Sequence, residues 1–212
     1  MPTQPTQPTP TRPARPALLI LVILLVTSLL VSACGNGYQF NGTPLDPPKE
    51  LYDITATNWD GSTFRLSGHK GRVLVVFFGY TFCPDVCPTT LAEMVQLYAM
   101  LGDNAAKVDI VFISVDPERD TVEKLATYIP AFNPNFYGLR IPAGPELETA
   151  KMIFGAFAEQ NPTDKTATGD YLVDHTAWVS IVDQDGLLRE LFSFESTPAE
   201  MLPDIEYLLK KG

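Results

Sequence analysis

Positive charge is scarce in this chain. Lys and Arg number 15 against 25 Asp and Glu, a net charge of −10 over 212 residues. So acidic a molecule repels phosphate backbones, which argues against nucleic acid as a partner. Cysteine is scarcer still, with three residues, and two of them, Cys83 and Cys87, stand four positions apart. A bridge closing so short a loop removes little entropy from the unfolded chain, so thiol or metal chemistry suits this pair better than a structural staple. There is no internal repeat, and no linker interrupts the chain after residue 50. The apolar content of 45% is enough for a core and rules out wholesale disorder. The length suits one domain of ordinary size.

Residues 1–33 have the character of a targeting segment. They hold six prolines, Arg12, Arg15 and no acid, so the segment carries +2 of the net −10 and the remainder carries −12. Ala17 to Val31 is almost wholly apolar, and Val31-Ser32-Ala33-Cys34 follows, with Gly35 after it. The run falls short of the ~20 residues of a comfortable membrane span. A short apolar stretch that ends in small residues before a cysteine resembles the lipobox of bacterial lipoproteins, in which the cysteine, here Cys34, becomes lipidated. An uncleaved membrane helix is the alternative. Either arrangement places the body outside the cytoplasm, on a membrane anchor. Residues 34–50, rich in Gly, Pro and Asn, are expected to be a flexible tether, and 51–212 the folded domain.

Within the domain, Asp53 to Thr57 and Ser62 to Leu66 flank Asn58-Trp59-Asp60-Gly61, the pattern of an N-terminal β-hairpin. Val73 to Gly79 and Val108 to Val115 are continuous apolar runs, the signature of strands buried on both faces. Helices are predicted from Pro88 to Leu101, from Asp120 to Ile129 with Pro130 ending it, from Pro145 onward, and from Pro198 to Leu209. Between the second and third lies a Pro- and Asn-rich loop. Residues 159–170 read as polar and irregular. Ala177 to Asp183 and Leu188 to Phe194 are two further strands around Gln184-Asp185-Gly186. Strands alternating with helices, plus a closing ββ pair, predict an α/β domain: a mixed central sheet flanked by helices, the order of thioredoxin-like folds.

The informative segment is Phe77-Phe78-Gly79-Tyr80-Thr81-Phe82-Cys83-Pro84-Asp85-Val86-Cys87-Pro88. Both thiols sit where a buried strand gives way to a helix, a usual site of function in open α/β sheets. On a helical turn the i, i+4 spacing puts both sulfurs on one face with Cα atoms roughly 6 Å apart. That separation permits a Cys83–Cys87 disulfide and equally lets two thiolates converge on one metal ion. With Pro88 opening the helix, Cys87 would sit at its positive end, which favours thiolate. His175, in Asp174-His175-Thr176 just before the third strand, is placed by a thioredoxin-like sheet beside the cysteines. Two thiolates and an imidazole form a soft set that suits Cu(I) and that Cu(II) or Zn(II) can also use, although zinc usually takes a fourth ligand.

The chain resembles the Sco/SenC family, the membrane-anchored copper chaperones of cytochrome c oxidase assembly. The resemblance rests on Gly79 to Pro88, on Ser114-Val115-Asp116-Pro117-Glu118-Arg119-Asp120-Thr121, and on Asp174-His175 followed by a strand and Val182-Asp183-Gln184-Asp185-Gly186. It implies that Cys83, Cys87 and His175 hold one copper ion per chain, as Cu(I) or Cu(II). It also implies a partner, the copper-centre subunit of the oxidase, which receives the copper or has its cysteines reduced.

The neighbours of these residues carry further expectations. Asp85 is expected to cap the helix start or to tune the thiolate. Asp174 is a candidate to orient His175. Asp116 and Asp120 read as turn and cap residues, Tyr80, Phe82 and Trp178 as packing, and His69 as a solvated loop residue. A metal-free thiol–disulfide oxidoreductase would use the same cysteine pair without needing His175. A peroxiredoxin-like peroxidase would need Thr-x-x-Cys, whereas Thr81 stands only two residues before Cys83.

Overall fold

The structure, a computed structural model, describes residues 38–165 and 171–211. Cys34 and the segment before it lie outside these residues. Among the described residues no helix is long and apolar enough to cross a membrane.

Two parallel strands form the centre. β4 (Val73–Gly79) and β5 (Val108–Ser114) are buried at every position and pair in register from Val73↔Val108 to Gly79↔Ser114. Alternate residues face opposite layers, as strand geometry dictates. Val73, Val75 and Phe77 belong to one core cluster; Leu74, Val76 and Phe78 belong to the other. That division is why both runs are apolar without alternation.

The remaining strands of the large sheet are β1 (Thr43–Glu50), β2 (Thr55–Asn58), β3 (Thr63–Arg65), β6 (Tyr137–Arg140), β9 (Val179–Val182) and β10 (Leu187–Phe192). Their order is β1-β10-β9-β4-β5-β6-β2-β3. The β4–β5 and β5–β6 pairs are parallel and the others antiparallel. The sheet is therefore mixed, as the sequence predicts, and thioredoxin-like. The cluster of Leu74, Val76 and Phe78 is closed by α3 (Pro145–Phe154) through Leu147, Ala150, Ile153 and Phe154, and the cluster of Val73, Val75 and Phe77 is the second. The second is closed by α1 (Val86–Met100), α2 (Val122–Phe132) and α4 (Pro198–Lys211), through residues such as Leu91, Met94, Leu125, Ile129 and Ile205.

The structure corrects several expectations. Residues 43–50 are not tether: they form edge strand β1, antiparallel to β10. Three prolines are tolerated there because an edge strand leaves one row of backbone groups unpaired, and the register breaks between Pro44 and Lys49. Pro130 lies inside α2, which runs on to Phe132. Its ring sits in the last turn, and only two residues continue the helix beyond it. The loop after α2 contains strand β6. The polar stretch after α3 is β7 (Ala158–Lys165), antiparallel to β8 (Tyr171–His175). Among the described residues this two-stranded ribbon shares no ladder with the large sheet.

His69 is not a solvated loop residue. Its Nδ1 lies 2.7 Å from Asp109, and its side chain is 14% exposed. Arg72 grips the same carboxylate through Nε and Nη2 at 2.6 and 2.7 Å, which gives the buried Asp109 the charge partner it needs.

Candidate metal centre

The site lies at the C-terminal end of β4. Gly79, the last residue of the strand, meets Cys87 from below: a Cβ there would stand 2.9 Å from the Cys87 sulfur and 2.8 Å from the Phe112 ring. Only glycine leaves room for that sulfur. The loop that follows is pinned by Asp120. Thr81 donates to it from backbone N–H and hydroxyl, the latter at 2.6 Å, and Ser114 adds a hydroxyl at 2.6 Å. Asp120 is therefore a loop anchor and not a helix cap; Thr121 caps α2, accepting from the Lys124 N–H.

Helix α1 begins at Val86, two residues earlier than Pro88 predicts. Asp85 stands at the N-cap position, but its exposed side chain makes no capping bond. Instead the Cys87 N–H points at the Cys83 sulfur, 3.4 Å away. The sulfur thus occupies the place of a capping acceptor, beside the positive helix end. Cys83 is partly exposed and Cys87 is 1% exposed, and both thiols are free.

The two thiols are pushed apart in acidity. Hydrogen bonding from Cys87 lowers the Cys83 pKa to about 4; burial opposes the shift, while the His175 ring and backbone N–H groups assist it. The charge so placed on Cys83, together with burial, raises Cys87 well above its ordinary range. Cys83 is consequently a thiolate at neutral pH and Cys87 retains its proton.

His175 ends β8, opposite Ala158 of β7. Its Nδ1–H donates to the Thr176 carbonyl at 2.9 Å, which leaves Nε2 with a bare lone pair. That atom is 3.6 Å from the Cys87 sulfur, and the Tyr80 ring meets the imidazole edge-on at 5.7 Å. Asp174 does not orient His175. Neighbouring residues on a strand point to opposite faces, and Asp174 turns outward to accept from Asn161 Nδ2 at 2.9 Å. The orienting acceptor is the Thr176 backbone.

The three expected residues come together: the Sγ atoms of Cys83 and Cys87 and a ring nitrogen of His175 lie within 4.8 Å of one another. Val86, Thr90, Ala177 and Trp178 wall the space around Cys87 and His175. Two sulfurs and one imidazole suit a soft ion that accepts three donors.

The sequence reading assigned no role to Arg119 or Tyr171, yet both join the site. The Arg119 guanidinium lies 3.5 Å over the Tyr171 ring and 4.7 Å over the Phe82 ring. The period-two run Tyr171, Val173, His175 is the sequence signal for the strand that carries the histidine.

A profile of the SCO1/SenC family matches residues 46–210. The chain belongs to the SCO1/SenC family. A SCO2-like protein of Rickettsia conorii is 32% identical over 157 residues, covering 71% of this chain and 72% of the relative. The copper-bound structure of Bradyrhizobium japonicum ScoI is 37% identical with a TM-score of 0.67, covering 76% of this chain and 99% of that one. The structure of BsSco, described as having a disulfide switch and as a member of the Sco family of cytochrome c oxidase assembly proteins, is 26% identical with a TM-score of 0.64. It aligns over 81% of this Sco chain and 98% of its own.

Proposed function

We propose that this chain is an extracytoplasmic, membrane-anchored copper carrier serving cytochrome c oxidase. One ion is held per chain by Cys83, Cys87 and His175 and passed by ligand exchange to the copper-centre subunit. The observation that carries this reading is the convergence of two sulfurs and a ring nitrogen of His175 within 4.8 Å. The copper-bound relative supports the choice of metal, and the assembly description of BsSco supports the oxidase as destination. The apolar run before Cys34 supports the anchor, by lipid or by an uncleaved helix; a tether raises local concentration at a membrane target.

The full chain, solubilised and reduced, is expected to bind one copper per chain. His175→Ala should weaken binding by more than the roughly 10–100-fold that loss of an outer partner costs, with the fold intact by circular dichroism. Unchanged stoichiometry and affinity in that variant would sink the reading.

The acidity split between the thiols supports a second role on the same residues. The Cys83 thiolate can attack a partner disulfide, forming a mixed disulfide and releasing one partner thiol. Cys87 then gives up its proton and attacks the Cys83 sulfur. The second partner sulfur leaves, the partner gains two electrons with one proton from Cys87 and one from solvent, and Cys83–Cys87 becomes a disulfide. That disulfide removes both thiolate ligands, so oxidation gates copper loading. A reductase assay in which His175→Ala keeps full rate while losing copper separates the two roles.

A further inference from the structure

Among the described residues the ribbon that carries His175 has no strand ladder to the large sheet, and side-chain contacts join it to the cysteine loop. The contacts converge on one residue. Arg119, 15% exposed, pairs through Nε with Asp116 and donates from Nη1 to the Tyr171 carbonyl at 2.9 Å. Its flat guanidinium lies on the Tyr171 ring at 3.5 Å, and the Tyr171 hydroxyl returns to Asp116 at 2.9 Å. The same guanidinium contacts the rings of Phe82, the residue before Cys83, and Tyr80, at 4.7 and 5.8 Å. Tyr80 in turn accepts the Val173 N–H at 3.2 Å. Arg119 thus touches the cysteine loop and the base of the histidine strand at once.

We propose that Arg119 is the positioning residue that docks the β7–β8 ribbon onto the cysteine loop and thereby sets the approach of His175 to the two sulfurs. A planar fork and stack supply this; a point charge does not. The role of the docking in metal affinity rests on the copper reading above, whereas the docking itself is measurable without metal.

The test is amide hydrogen exchange on the reduced, metal-free full chain, followed by copper titration. In Arg119→Ala the Val173 amide should exchange at least about tenfold faster while amides of β4 and β5 keep their rates, and copper affinity should fall about tenfold or more. Arg119→Lys should recover little of either loss. Unchanged Val173 exchange would overturn the proposal. So would a uniform acceleration across β4 and β5, which would make Arg119 a general stabiliser, or full rescue by lysine. If Arg119→Ala does not fold, Tyr171→Ala, which keeps the Arg119–Asp116 pair, must show the same local acceleration, and its absence overturns the docking role. Failure of the wild type to take up copper would sink the carrier reading and leave the exchange result to decide the docking.

Discussion

The β4–β5 pair and the β7–β8 ribbon each supply part of one site, and they are held by different forces. β4 and β5 are ladder-bonded along their length and buried on both faces. The ribbon bonds to itself and meets the body through side chains such as Arg119, Tyr171 and Tyr80. The sulfur end of the site is therefore fixed by the same packing that stabilises the fold. The imidazole end is fixed by a handful of polar contacts and by the buried Val173, and is expected to open at a lower cost than the sheet. Ligand geometry and global stability are therefore expected to be separable in this molecule.

The comparison can be broken most severely at the core. Phe112 is fully buried between β4 and α2. Phe112→Ala should cost about 3–5 kcal/mol by denaturant unfolding and disturb both ends of the site together.

A middle-sized effect comes from pH. Glu190 on β10 is buried, and desolvation and the nearby Asp204 raise its pKa to about 9. The unfolded chain releases this proton near the ordinary value of 4.5, so between those limits the folded state holds the extra proton and stability falls as pH rises. Glu190→Gln removes that dependence. At pH 7 it should stabilise the sheet by about 3 kcal/mol in thermal unfolding and gain nothing at pH 4. Equal gains at both pH values would show that Glu190 is ionised in the fold.

The smallest effect on stability, and the sharpest contrast, lies in the ribbon. Val173 is the ribbon's buried apolar contact, 6% exposed. Val173→Ala should change global stability by no more than about 1 kcal/mol, below the usual range for core truncation, while loosening the ribbon in hydrogen exchange. A loss as large as that of Phe112→Ala would show that the ribbon folds as one unit with the sheet.

What could be read from the sequence follows the same divide. The runs Val73 to Gly79 and Val108 to Val115 declare themselves because burial on both faces demands unbroken apolar residues. Cys83 and Cys87 are legible because chemistry restricts their type and spacing. Strands β7 and β1 were not legible: Glu159, Gln160 and Asn161 are polar and Pro44, Pro47 and Pro48 are poor strand formers. Both lie at edges, where pairing is decided by what happens to be adjacent and not by local propensity. Asp174 was misjudged for one reason. Nearness in sequence to His175 is separation in space once the segment is extended, because successive side chains face opposite ways. Asp85 was misjudged because a sulfur took the capping place that an acid usually fills.

The missing side chain at Gly79 has a final consequence. It lets Cys87 sink until almost nothing of it meets solvent, while Cys83 and His175 stay partly exposed. An incoming donor is expected to meet the exposed edges of Cys83 and His175 before it can reach Cys87.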